Sequence, residues 1–149
     1  MVEDFDSVIR MPELHNAMTD PMVRIDRERR GMPFNIAEAL RKQMGLSVGE
    51  FSRIFGINPA TYRKKVADKK PLSGRDGDAI ADLGEMLAVV RDFLPAERTD
   101  FNIPRWFTRW IGVPQPSLGG RKPEEILDTP TGRRLVKRLV GALGSGAYL

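Results

Sequence analysis

The run Leu46-Ser47-Val48-Gly49-Glu50-Phe51-Ser52-Arg53-Ile54-Phe55-Gly56-Ile57-Asn58-Pro59-Ala60-Thr61-Tyr62-Arg63-Lys64-Lys65-Val66 decides the fold. It holds two short helical signals, each with its own start and stop. Ser47 and Glu50 have the spacing of a capping box, and Phe51, Ile54 and Phe55 recur as one apolar helical stripe. Gly56 tolerates the positive φ that a tight turn demands. Asn58 and Pro59 then open a second helix as cap and first-turn residue. Tyr62 and Val66 lie four apart on it and face inward together. Two helices that cross steeply need a small residue at the crossing, and Ser52 occupies that place, with Ile57 and Tyr62 filling the wedge. These are the parts of a helix-turn-helix. Its second helix offers Asn58, Ala60 and Thr61 at the end that reaches base edges in such motifs. Arg63, Lys64, Lys65, Lys69 and Lys70 suit phosphates. The competing account of the same residues is a helical hairpin with a solvated, lysine-rich face. Neither Ala60 nor Tyr62 is a strong base reader.

Outward from this stretch the pattern stays helical. Ile36, Ala39, Leu40 and Met44 recur at helical spacing, with Asn35 as the expected N-cap and Gly45 as the stop. Leu72-Ser73 precede a helix over about 73–94, on which Ile80, Leu83, Leu87, Val90 and Leu94 form a core stripe. Asp76, Asp78, Asp82 and Glu85 sit towards its N-terminal half and read as solvated acids favoured by the helix dipole, not as metal ligands. A helix near 103–112 carries Trp106, Phe107, Trp110 and Ile111, and a Pro- and Gly-rich loop over 113–120 follows. Pro123 begins a short helix through Leu127, and Thr129 with Pro130 starts the last one. That last helix sets Leu135, Val136, Leu139, Val140 and Leu143 on one side and Arg133, Arg134, Lys137 and Arg138 on the other. No segment alternates as a strand does, so the expected fold class is all-α. The expected organisation is an irregular N-terminal arm over 1–34 with one short helix, a helix-turn-helix domain with its connecting helix over 35–100, and a small helical domain over 101–149.

Composition narrows the function. The 149 residues include no Cys and one His, which removes disulfides, thiolate zinc sites and cysteine nucleophiles. A single imidazole, His15, gives poor support to a catalytic triad or a His-based metal site, so no catalytic residue is assigned. No apolar run is long enough to span a membrane, the first residues lack the pattern of a signal peptide, and a reducing cytoplasm is the expected setting. The net charge of +4 conceals a partition. Residues 1–34 carry −2, 35–75 carry +6, 76–104 carry −5 and 105–149 carry +5. The +6 block covers the helix-turn-helix and points to an anionic partner better than the total does.

The end of the chain reads differently. Gly144-Ser145-Gly146 is a flexible-looking strip that leads to Tyr148-Leu149, an apolar, hydrogen-bonding tip suited to anchoring in a partner's pocket. Chain ends are more often polar and frayed.

The C-terminal residues Trp110-Ile111, Pro114, Leu118-Gly119-Gly120, Pro123, Ile126-Leu127-Asp128-Thr129, Gly132, Val136, Leu139 and Gly146 resemble the toxin-binding domain of the Xre/MbcA/ParS antitoxin family. Upstream, Pro59-Ala60-Thr61-Tyr62-Arg63-Lys64-Lys65 and Leu72-Ser73 resemble that family's Xre-like helix-turn-helix, with Ala60 where relatives often carry Arg. The resemblance spans about 36–149 and leaves 1–34 outside. It implies the antitoxin of a type II pair whose partner is a RES-domain toxin that consumes NAD or uses it to ADP-ribosylate a target. The tail region would cover the toxin's NAD pocket. The helix-turn-helix would repress the operon as a dimer within a larger assembly. The chain itself would be no enzyme and hold no cofactor. Trp110, Leu118, Gly119, Gly120, Gly144, Ser145, Gly146, Tyr148 and Leu149 then become the expected toxin contacts, and Arg121, Lys122 and Arg133 could meet acidic groups on the toxin or simply face solvent. The rival reading is a transcription regulator whose C-terminal helices only dimerise.

Overall fold

A computed structural model describes residues 4–95, 97–98 and 100–145. Among these, nine α-helices follow one another: α1 (Phe5–Ile9), α2 (His15–Thr19), α3 (Pro21–Arg30), α4 (Phe34–Met44), α5 (Val48–Phe55), α6 (Pro59–Ala67), α7 (Gly74–Phe93), α8 (Ile103–Trp110) and α9 (Pro130–Gly144). The all-α class holds: among the described residues there is no strand, and the β-type pairing recorded is an isolated antiparallel bridge between Met32 and Leu72. No helix is long and apolar enough to cross a membrane among the described residues.

The long helix α7 organises the rest. Its apolar residues recur every three or four positions and are supplemented by Ala79, Ala81 and Ala88, so it is buried on more than one side. α1, α3, α5, α8 and α9 all pack against it. One continuous core results, running from Val8 and Leu14 through Leu40, Phe51, Tyr62, Leu83 and Met86 to Phe107, Leu127, Val136 and Val140.

Cap chemistry explains the boundaries. Ser47 and Glu50 form the reciprocal capping box, Asn58 accepts from the Thr61 amide, and Thr129 accepts from the Gly132 amide. Gly45 and Gly56 end α4 and α5 in the left-handed conformation. Asn35 is not a cap. It lies exposed inside α4, whose cap position is Pro33. The short helix expected from Pro123 to Leu127 is a single 3-10 turn over Pro123–Glu125.

The N-terminal segment departs furthest from expectation. It contains three helices rather than an irregular arm with one. Asp20 and Pro21 start α3 with the same cap-plus-proline signal as Asn58-Pro59 and Thr129-Pro130. Val8, Ile9, Leu14 and Ala17 are buried, and Arg91 of α7 donates to Asp6 of α1 at 3.0 Å. The segment therefore completes the core.

The charge partition also has a structural cause. Asp82 and Glu85 of α7 are not solvated, whereas Asp78 is exposed. Asp82 is bonded by Arg133 at 2.8 Å and approached by Lys137 at 3.5 Å. Lys137 also donates to Glu85, and Arg27 of α3 reaches Asp78 at 3.2 Å. Asp78, Asp82 and Glu85 of the acidic block thus serve as counterions of α3 and α9.

Candidate functional site

The first candidate surface is α6. Its inner face is fixed by Tyr62, which is fully buried against Phe51. The Tyr62 hydroxyl donates to Glu38 of α4 at 2.6 Å, and Arg41 donates to both oxygens of the same carboxylate at 2.6 and 2.9 Å. Arg41 also reaches the Leu46 carbonyl at 2.9 Å, tying the end of α4 to the start of the motif. The Arg41 hydrogen bond holds the Glu38 carboxyl below the usual carboxylate range, while burial, then Glu38, pushes the Tyr62 phenol far up. Tyr62 is thus a neutral, anchored donor and no base reader. Sequence reasoning missed Glu38 and Arg41, whose i,i+3 spacing was the available signal.

The turn between α5 and α6 is equally constrained. Gly56 has φ +71°, and a Cβ there would lie 2.7 Å from the Asp128 carbonyl oxygen. Both the dihedral and the close approach demand glycine. The neighbour is informative: Asp128 belongs to the Ile126-Leu127-Asp128-Thr129 motif of the C-terminal region. That motif therefore seats the C-terminal region on the helix-turn-helix. Ser52 is buried at the crossing, and its backbone carbonyl accepts from the Ile57 amide at 2.8 Å.

With that face fixed, the opposite face is free. Asn58, Ala60, Thr61, Arg63, Lys64, Lys69 and Lys70 are exposed, and Lys65 is half-buried. All eight expected DNA contacts thus lie on or beside one helix and outside the core. Asn58 spends its carbonyl oxygen on the cap at 3.1 Å. Lys64 has a loose exposed pair with Asp68 at 3.7 Å, which salt screens and a phosphate can displace. Lys69 has φ +54° in the turn that follows α6. Lys65 and Arg75 flank Asp76 on α7, whose carboxyl is nevertheless pushed up by burial.

The second candidate surface is the loop between α8 and α9. Gln115 is buried, and its backbone amide and carbonyl pair at 3.0 Å with the Arg121 carbonyl and the Gly120 amide. The residues between bulge outward as a closed loop. Gly119 and Gly120 have φ +67° and +85°, and a Cβ on either would meet nothing within 4 Å. These two glycines serve the turn and leave open surface above it. Leu118 is half-buried, while Arg121 and Lys122 are exposed. Trp110 is half-buried and stacks on Trp106 with ring centroids 5.8 Å apart.

Two expected toxin contacts, Arg133 and Gly144, need correction. Arg133 is not on a solvated face: it is 3% exposed, and its second bond goes to the Leu127 carbonyl at 3.1 Å. It joins α9 to α7 and is not presented on the open surface as a contact for a protein partner. Lys137 is similarly engaged, and Leu135, grouped by the sequence with the apolar side of the last helix, is exposed. Gly144 is not in a flexible strip. It is the last residue of α9, and a Cβ there would collide with the ring of Phe93. Ser145 caps α9 and donates its hydroxyl to Ala142. Gly146, Tyr148 and Leu149 lie outside the described residues. Gly132 is structural as well, since its Cβ would collide with the Ile126 carbonyl oxygen.

Comparison with known proteins matches both halves of this arrangement. Residues 23–83 match the antitoxin Xre-like helix-turn-helix domain. Residues 88–146 match the antitoxin Xre/MbcA/ParS C-terminal toxin-binding domain. The first match begins within α3, earlier than the motif residues suggest. A relative from Sphingobium sp. (strain YBL2), the Prs ADP-ribosylating antitoxin, is 33% identical over 94 residues, which cover 62% of this chain. The match spans 59% of that relative's own length. Antitoxin Xre of Photorhabdus laumondii is 23% identical over 116 residues, covering 78% of this chain and 74% of the relative.

Proposed function

The chain belongs to the Xre/MbcA/ParS antitoxin family, and from that premise we propose that it is the antitoxin of a type II toxin–antitoxin pair. The observation that carries the proposal is the presence of both antitoxin domains in one chain, in order, with the cationic face of α6 free of the core. The partner is a RES-domain toxin that consumes NAD or transfers its ADP-ribose. The surface around Leu118, Gly119, Gly120, Arg121 and Lys122 meets that toxin, with Trp110, Ser145 and the residues after it contributing. Tyr148 and Leu149 cover the entrance to the NAD pocket. The antitoxin has no catalytic side chain of its own and acts in the cytoplasm.

DNA binding is the second arm. Arg63, Lys64, Lys65, Lys69 and Lys70 engage phosphates, and Asn58, Ala60 and Thr61 approach base edges. A dimer sets the half-site spacing and represses the operon. A short apolar side chain at position 60 reads fewer hydrogen bonds than an arginine does, so affinity leans on phosphates and is strongly salt dependent.

Deleting Ala147–Leu149 separates this reading from a regulator whose C-terminal helices only dimerise. The shortened chain is expected to retain duplex binding and lose neutralisation of the toxin. Full neutralisation by the shortened chain refutes the role given to the tail.

A further inference from the structure

A cleft of about 330 Å³ opens between α3, α7 and α9 and uses no residue of α6 or of the 115–121 loop. Its walls carry six cations: Arg24 and Arg27 from α3, Arg75 from α7, and Arg133, Arg134 and Lys137 from α9. Three carboxylates share the walls, and each is already taken. Glu28 is held by Arg24 at 3.2 Å, Asp78 by Arg27 at 3.2 Å, and Asp82 by Arg133 at 2.8 Å. Arg75 flanks Asp76 without a close ion pair to it, and Arg134 donates to the Thr131 hydroxyl.

Two features of these cations run against local preference. Arg75 is the second residue of α7, and Arg133 and Arg134 are the fourth and fifth of α9. Helix N-termini carry positive partial charge and disfavour cations. Arg27 is 5% exposed, yet its Nε is buried with no hydrogen-bond partner. A buried charged group left partly unsatisfied is costly and asks for an explanation. An anion in the cleft offsets the field at the two helix ends, offers acceptors to the exposed guanidiniums of Arg75 and Arg134, and adds counter-charge beside the buried Arg27, whose Nε it does not itself touch.

We propose that this cleft binds a small phosphate-bearing anion of the size of pyrophosphate or a nucleoside diphosphate. Guanidinium forks are suited to phosphoryl oxygens. The volume lies within the usual range of small-molecule sites, and such sites favour domain seams. This one is a seam: Arg27 and Arg75 fall within the helix-turn-helix match, Arg133 and Arg134 within the toxin-binding match. An occupant ties α9 to α3 and α7, so the ligand acts on both functional halves at once. The concave shape favours a free anion over the backbone of a duplex, which is the other source of the same phosphoryl chemistry.

The test is a titration of the full chain with pyrophosphate and with ADP at constant ionic strength, followed by calorimetry and thermal unfolding. Saturable binding with a rise in Tm is expected. The exposed pair Arg75→Gln and Arg134→Gln should leave the ligand-free Tm unchanged and weaken binding about tenfold or more, as loss of two charge-assisted partners implies. Absence of saturable binding up to ~10 mM, or equal binding by the double variant, overturns the site. A double variant that loses affinity for duplex DNA, in a protein that binds neither pyrophosphate nor ADP, assigns these arginines to the DNA surface and overturns it too.

Discussion

Replacing Arg133 by Met removes a guanidinium and keeps most of the side-chain volume. In the native chain Nε of Arg133 donates to Asp82 at 2.8 Å and Nη1 donates to the Leu127 carbonyl at 3.1 Å. The Arg133 side chain is 4% exposed and that of Asp82 is 19% exposed. A hydrogen bond to a charged group contributes about 1.5–3 kcal/mol, a neutral acceptor about 1 kcal/mol, and breaking a buried pair from one side costs about 3–5 kcal/mol. Lys137 still approaches Asp82 at 3.5 Å and softens the loss. We therefore expect Arg133→Met to destabilise the chain by about 3 kcal/mol in urea unfolding, and to lower Tm by roughly 6–12 °C. Adding Asp82→Asn should cost less than it does alone, with a coupling of about 1 kcal/mol or more between the two sites. Arg134→Ala, next in sequence but exposed, should change stability by less than about 0.5 kcal/mol. A loss below ~0.5 kcal/mol for Arg133→Met, or strict additivity with Asp82→Asn, refutes the assignment of Arg133 as a clamp between α7 and α9.

The remaining predictions concern the helix-turn-helix. Gly56→Ala combines an unfavourable φ with a collision at the Asp128 carbonyl and should cost about 1–3 kcal/mol in thermal unfolding; a neutral result means the C-terminal motif does not rest on the turn. Tyr62→Phe should cost about 1 kcal/mol by removing the hydroxyl from Glu38, measured by urea unfolding; an unchanged midpoint shows that this hydrogen bond contributes nothing. Because the folded-state pKa of Glu38 is below its unfolded value, the stability it adds is present above the ordinary glutamate range and drains away as pH falls through the lowered value. Glu38→Gln should accordingly flatten the acid limb of the stability curve, and an acid limb identical to wild type counts against the network. Lys64→Ala and Lys65→Ala should each weaken duplex binding and reduce the salt slope by about one unit; a slope unchanged with both lysines gone removes α6 from the interface.

Local signals were the most legible part of the sequence. The capping box at Ser47, the Asn58-Pro59 and Thr129-Pro130 starts, and the stops at Gly45 and Gly56 mark helix ends through nearest-neighbour chemistry, and the structure keeps them. α3 was hidden because charged residues crowd it and its one buried cation, Arg27, is buried by pairing with Asp78, 51 positions away. The engagement of Asp82 and Glu85 was hidden for the same reason. Spacing along one helix cannot show that Arg133 and Lys137 will cover Asp82 and Glu85 from another. Glycines were ambiguous in kind: Gly132 and Gly144 look like pliable points, but each is where a backbone or ring packs too closely for a Cβ. By contrast, the outward residues of α6 were readable once Tyr62 was fixed as inward, since a helix with one face anchored exposes the other.

Neutralisation of the toxin is the property on which the proposed function rests. The direct measurement is to express the product of the reading frame that neighbours this chain's gene, alone and together with this chain, and to follow growth and NAD content. Arrest with falling NAD is expected in the first case, and recovery with a co-purifying complex in the second. Continued arrest with the chain present in excess, and no complex between the two proteins, would contradict the proposed function.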